Sequence, residues 1–236
     1  MILPKSKLTK LVGLIALPLV IIQLASCAHM TPLTAAAKEG DVVTIKELLN
    51  KGAKIDEPNS GKWSATPLYW SLFNCKFETA GLLLKKGANA NSADSFGLAP
   101  LQLAVCCKDV DLSFIDNFIQ KGADVNYKNT PDGWRSLHYA ISCGSDDVAR
   151  LLIEKGADVN AIADDGTTPL ILAVKNDDVF IAKLLLEKGA DVNWRDMKKK
   201  NAMSYAKGVL GIFKKKKKMI QLLESADSIK PVNKKE

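Results

Sequence analysis

The side chains that could do chemistry in this 236-residue sequence are few: two histidines, His29 and His138, and five cysteines, Cys27, Cys75, Cys106, Cys107 and Cys143. A zinc cage draws three or four ligands from closely spaced Cys and His pairs. No third histidine and no Cys-x-x-Cys occurs, so neither a metal cage nor a dithiol redox motif is indicated. Three carboxylate pairs, Asp146-Asp147, Asp164-Asp165 and Asp177-Asp178, are sequence neighbours. Such neighbours more often cap helices and keep turns soluble than transfer protons. There is no glycine-rich phosphate loop and no nucleophile elbow. These residues assign no catalytic site, no metal and no cofactor.

The formal charge of +7 is unevenly placed. Lys5, Lys7 and Lys10 lie in the first 26 residues, and from Met197 to Glu236 there are 12 lysines against Glu224, Asp227 and Glu236, a net of +9. Between them, Cys27 to Asp196 holds 18 basic and 23 acidic residues, a net of −5. A nucleic-acid-binding body needs a basic stripe to engage phosphates, so nucleic acid is excluded as its partner. The run Lys214, Lys215, Lys216, Lys217 and Lys218 has two readings: a solvated end face, or a contact with an anionic lipid surface or acidic partner.

Residues 1–26 read as a secretory signal, with lysines first, then the apolar run Leu11 to Leu24, then small residues. The run falls short of the roughly 20 apolar residues that span a bilayer. It ends in Leu24-Ala25-Ser26-Cys27, which resembles the lipobox of bacterial lipoproteins. That resemblance implies diacylglyceryl transfer to the Cys27 sulfur, cleavage before Cys27, and acylation of the new N-terminus. Multiple chains anchor stably where one does not. The alternative is an ordinary signal cleaved after Ala28, with Ser26 and Ala28 as its small pair. Ala28 in place of Asp points, by the same resemblance, to the outer membrane.

Two markers recur in phase further along. Lys-Gly-Ala stands at 51, 86, 121, 155 and 188, with its glycines spaced 35, 35, 34 and 33 residues apart. Before each comes Thr31-Pro32-Leu33, Thr66-Pro67-Leu68, Ala99-Pro100-Leu101, Arg135-Ser136-Leu137 or Thr168-Pro169-Leu170. A Thr accepts from a free N–H at a helix start, and Pro suits the first helical position, where a donor is not needed. Ala36, Ser71, Ala104, Ala140, Ala173 and Ala206 supply a small residue for close helix approach. A second helix ends in apolar pairs such as Leu83-Leu84 and Leu185-Leu186 before the glycine, which suits a left-handed helix end.

These residues resemble the ankyrin repeat, with its Thr-Pro-Leu-His and Gly-Ala-Asp-Val-Asn signatures. The resemblance implies an all-α ankyrin-repeat solenoid of stacked helix-turn-helix units with finger-like β-turns. The domain reading is signal 1–26, lipid attachment and tether 27–30, an array over 31–226 and a polar tail 227–236. The units are 31–65, 66–98, 99–134, 135–167, 168–200 and a degenerate cap, 201–226. Unit 3 is longer by two residues between Pro100 and Gly122, enlarging its inter-helix turn near Cys106 to Asp111. On this template His138 takes the motif's structural histidine slot.

Cys75, Cys106, Cys107 and Cys143 fall at first-helix ends or in the following turns of three consecutive units. In an oxidising compartment such thiols pair. The expected bonds are Cys75 with Cys106 and Cys107 with Cys143; the alternative is buried free thiols. Packed helices lie about 8–10 Å apart while disulfide Cα atoms lie within roughly 7 Å, so the turns must close the gap. The finger tips carry Trp63, Phe96, Tyr127, Trp134, Trp194 and Arg195. Exposed aromatics and arginine are hot-spot types, although such residues also cover a neighbouring core. The expected function is noncatalytic binding of a protein partner by a lipid-anchored array facing the periplasm and projecting from its membrane. Two alternatives stand beside it, a periplasmic immunity protein neutralising a toxin and a cysteine-dependent redox protein.

Overall fold

The computed structural model describes residues 30–208 and 217–228. Residues 1–29, 209–216 and 229–236, and with them Cys27, His29, Lys214, Lys215 and Lys216, lie outside the described residues. Twelve helices are described, in pairs. They are α1 (Pro32–Glu39) and α2 (Val42–Asn50), α3 (Pro67–Phe73) and α4 (Phe77–Lys85), and α5 (Pro100–Ala104) and α6 (Leu112–Gln120). After these come α7 (Ser136–Cys143) and α8 (Asp146–Glu154), α9 (Pro169–Asn176) and α10 (Val179–Glu187), and α11 (Ala202–Lys207) and α12 (Lys217–Ser228).

Each odd-numbered helix packs on the odd helices before and after it, each even helix on its even neighbours, and each pair on itself. The result is two layers, inner and outer, around one core running from Leu33 to Leu223. The starts of the inner helices follow from the sequence. Thr31, Thr66 and Thr168 accept from the backbone N–H of Thr34, Tyr69 and Ile171 at 3.1, 3.3 and 3.4 Å, and Asn201 does so from Ser204 at 2.9 Å. The fifth helical residue, Ala36, Ser71, Ala104, Ala140, Ala173 or Ala206, is buried at every level, which lets the inner helices close on one another. Leu68, Leu101, Leu137 and Leu170 are inaccessible to solvent, each contributing about 1.5–3 kcal/mol. Behind the outer helices, Gly52, Gly87, Gly122, Gly156 and Gly189 all take φ between 88° and 95°, where a side chain would be strained.

From each unit the chain runs out into a finger closed by one backbone bond. These are Asn59 N–H to Ala65 C=O, Asp94 to Leu98, Asn129 to Trp134, Ala163 to Thr167 and Asp196 to Lys200, all 3.0–3.1 Å. Adjacent fingers also bond to each other, through Ser95 N–H to Trp63 C=O, Asp164 to Asp132 and Met197 to Asp165.

Inner helices hold these fingers through two adjacent positions. The fourth helical residue ties back to the preceding finger: Trp70 Nε1 donates to Asn59 at 3.0 Å, Tyr139 Oη accepts from Asn129 at 2.7 Å, and the Tyr205 hydroxyl donates to Asp196. The third residue ties forward: the Tyr69 hydroxyl donates to Asp94 at 2.9 Å, and Gln102 Nε2 donates to the carbonyls of Tyr127 and Trp134 at 3.0 Å. His138 takes the same role. Its Nδ1 accepts from Arg135 N–H at 3.2 Å, which leaves Nε2 protonated and facing the Thr167 carbonyl at 3.3 Å. Gln102 makes the same backward bond, accepting from Ala99 N–H at 2.9 Å.

In unit 3 the inner helix α5 is only five residues long and a turn from Val105 to Asp111 takes up the remainder. All four cysteines here are paired, but crosswise to the sequence expectation: Cys75 with Cys107 and Cys106 with Cys143, at Cα separations of 5.7 and 5.5 Å. Cys106 and Cys107 are neighbours in a turn of i to i+3 bonds, with Cys106 N–H to Leu103 and Cys107 N–H to Ala104, so their side chains diverge. The buried Cys107 points back to the Leu72 carbonyl and Cys106 points on to that of Tyr139. Chain order therefore does not set the pairing.

Two outcomes follow. Cys106 and Cys107 share one proteolytic peptide, so double variants read the pairing: Cys75→Ser/Cys107→Ser will keep the Cys106–Cys143 bond, and Cys75→Ser/Cys106→Ser will leave Cys107 and Cys143 as free thiols. Removing either bond as a Cys-to-Ser pair will lower unfolding free energy by about 2–4 kcal/mol, read by denaturant titration. A Cys107–Cys143 disulfide in the second variant, with free thiols in the first, would contradict the connectivity. For His138, burial and then the Arg135 guanidinium hold its pKa at about 4, below the usual 6.5. The unfolded chain therefore binds the proton first. Stability is full above pH 6.5 and falls as the pH drops toward 4, by about 3 kcal/mol at most. His138→Gln, copying Gln102, will remove that component while staying within about 1 kcal/mol of the parent at neutral pH. An unchanged acid profile in the variant would refute the assignment.

Candidate protein-binding face

Fingers and inner helices together make one continuous face, and the bonds above decide which of its side chains remain free to contact anything else. The sequence marks six residues at the finger tips, and the structure separates them. Trp63 is half-buried, with its ring 5.1 Å from Phe96 and 6.5 Å from Phe73, and its indole N–H is buried without a hydrogen-bond acceptor. Trp134 lies over His138 and edge-on to Tyr139, at 5.8 and 5.2 Å. Trp194 donates from Nε1 to the Gly166 carbonyl at 2.9 Å. Tyr127 is half-buried, its carbonyl taken by Gln102. Phe96 and Arg195 are exposed; the Arg195 guanidinium donates to the Lys199 carbonyl at 2.9 Å. The three tryptophans thus act in part as covers for the neighbouring unit, which leaves only Phe96 and Arg195 presented outward.

Ile162 and Met197 were missed by sequence reasoning. With Phe96 they are exposed apolar residues on three different fingers, at 39%, 76% and 38% of full accessibility. Aliphatic side chains carry no hot-spot signal by type, but their place a few residues before Pro169 and Ala202 puts them on finger turns and could have found them.

The face changes character along its length. At the unit 2 end, Trp63, Tyr69, Trp70, Phe73 and Phe96 form one ring cluster, with the Lys62 ammonium 5.7 Å over Phe96. Tyr69 is buried beside Asp94, and both burial and that carboxylate push its pKa up, so it stays a neutral donor. At the far end Lys175 and Lys200 lie 4.7 and 5.6 Å over the Tyr205 ring. Burial lowers the Lys175 pKa, partly offset by Asp165 and Asp196, and burial followed by the Asp196 hydrogen bond raises Tyr205 to about 12.

The four cysteines are spent on inter-unit bonds, so the redox alternative would have to act through those disulfides rather than through a free thiol among the described residues. Among the same residues no cluster of His, Cys, Asp or Glu could hold a metal ion, and no helix is long and apolar enough to cross a membrane.

Comparison with known proteins agrees with this architecture. The family model described as Ankyrin repeats (3 copies) matches residues 15–94, 75–163 and 101–196. A tyrosine-protein kinase of Hydra vulgaris is 32% identical over 147 residues, covering 61% of this chain and 19% of that protein. The B-cell lymphoma 3 protein of Homo sapiens is 29% identical over 157 residues, covering 62% and 33%. The chain thus spans a third or less of the length of these two relatives. In structure, the crystallised ankyrin repeat domain of Bcl-3 superposes with a TM-score of 0.69 at 24% identity, covering 84% of this chain and 86% of that one. With its two in-phase sequence markers, its stacked helix pairs and a matching family model over most of its length, the chain belongs to the ankyrin-repeat family.

Proposed function

We propose that this chain is a noncatalytic protein-binding module of a bacterial envelope, held at the periplasmic side of a membrane by lipid on Cys27. The partner sits on the face made by the fingers and inner helices. One observation carries the reading: Phe96 and Ile162 stand exposed on two separate fingers whose backbones are fixed by bonds to neighbouring fingers and to the inner helices. Rigid presentation of apolar side chains reduces the entropy lost when a partner docks. Membrane attachment is supported by Leu24-Ala25-Ser26-Cys27 at the end of the leader, and the outer membrane by Ala28.

Two experiments test the two halves separately. A photo-crosslinking amino acid at Phe96 or Ile162 will give a discrete protein adduct in intact cells. The same residue at Val43, which is 67% exposed on the outer helix α2, will give none. Equal adducts at Val43 would refute the assigned face. Radiolabelled palmitate will be incorporated into the wild-type chain and lost from Cys27→Ser; retained label would refute the anchor.

A further inference from the structure

The last unit gathers exposed lysines at two places. Three residues before the first residue of α3, α5, α7, α9 and α11, the finger backbone is left-handed. Gly97, Gly133 and Gly166 hold φ of 78°, 73° and 80° there, whereas the first of these fingers uses Ser64 at φ 39° and the last uses Lys199 at φ 59°. A lysine in this region is strained where glycine is not. In the outer layer the described residues of α12 begin with Lys217 and Lys218, both exposed.

The charge so gathered is not neutralised. Lys198, Lys199, Lys207, Lys217 and Lys218 are exposed, and none pairs with a described carboxylate. They border the end of the stack on two sides, Lys198 and Lys199 at the finger edge, and Lys207 at the end of α11 with Lys217 and Lys218 as the first described residues of α12. All three arginines of the chain precede Met197, so this end is basic through lysine alone. Lysine is a compact, hydrated point charge suited to a diffuse anionic surface, whereas arginine forks fit individual carboxylates or phosphates.

Met197, the most exposed large apolar side chain among the described residues, stands directly beside Lys198. Its turn is stiff: the Met197 N–H donates to the Asp165 carbonyl at 3.1 Å, and Asp196 Oδ1 accepts from the N–H groups of Lys198 and Lys200 at 2.9 Å each. An exposed apolar side chain beside exposed lysines suits a surface that is charged outside and apolar beneath.

We propose that the open end of the array is a docking surface for an anionic phospholipid bilayer, with Lys198, Lys199, Lys207, Lys217 and Lys218 facing the headgroups and Met197 entering the interfacial layer. The assignment does not depend on lipidation of Cys27. A bilayer is favoured over an acidic protein or nucleic acid because the lysines edge an end face instead of lining a groove, and because Met197 beside Lys198 suits an apolar layer under a charged one.

The test uses the full chain carrying Cys27→Ser, so that no lipid anchor contributes and the leader is common to every sample. It is sedimented with vesicles of phosphatidylcholine alone or with about one third phosphatidylglycerol, where each lysine lost should cost up to about fivefold in affinity. Replacing the five lysines by Gln will weaken binding to anionic vesicles by more than about tenfold and lower its salt sensitivity, leaving phosphatidylcholine binding and the melting curve unchanged. Met197→Ser will weaken binding to anionic vesicles without altering the salt dependence. Equal binding of parent and five-lysine variant to anionic vesicles would overturn the proposal. So would lysine-dependent binding to soluble polyglutamate without any to the vesicles, which would mark an acidic protein as the partner.

Discussion

A helix-turn-helix unit of some 33 residues cannot cover its own apolar side, and everything else in this protein follows from how neighbours cover it. Small residues at the fifth inner-helix position bring the helices close, and the leucine beside each first-turn proline fills the gap. Polar bonds then set the register that apolar contact leaves loose. The third and fourth inner-helix residues face opposite ways along the stack, so one inner helix locks two fingers. Tyr69, Gln102 and His138 fill the forward position with three different chemistries. Each is a buried donor aimed at the next finger, whereas α9 places the buried, apolar Ile171 at that position.

Unit 3 is where this arrangement is thinnest. Its inner helix has five residues where the other full units have seven or eight, and its N-cap, Ala99, offers no side-chain acceptor, so the Gln102 N–H donates to the Ala99 carbonyl instead. A linear stack communicates only through its neighbours, so a weak unit in the middle would uncouple the two halves. The two disulfides lie at this point. Because Cys106 and Cys107 are adjacent, both outward bonds leave from one turn and join units 2, 3 and 4 in a single covalent path.

Much of this was legible in the sequence because the repeat is written in local chemistry. Proline and threonine mark one helix end, glycine marks another, and a fixed period multiplies the signal, so the stack could be read without long-range information. The disulfide pairing was not legible, since neighbouring cysteines in a turn point in directions that no spacing encodes. Nor could type alone decide the finger aromatics. Trp63, Trp134 and Trp194 have the same composition signal as Phe96, and only how far each ring is buried distinguishes a cover from a presented surface. Ile162 and Met197 carry the opposite lesson, being ordinary in type and unusual only in place.

The charge pattern bears on how such an array would lie in its cell. The stack is polar along its axis: an acidic body, then an end rich in exposed lysines. A lipid at the first unit alone would let the array project and turn freely about its short tether. With the basic end also held to an anionic bilayer, both ends of a stiff stack are fixed, and the array lies along the surface or bridges two. Either arrangement restricts rotation about the long axis, so the fingers bearing Phe96 and Ile162 face a narrower range of directions. Orientation then becomes part of the recognition, because a partner approaching in that plane meets side chains already aimed at it.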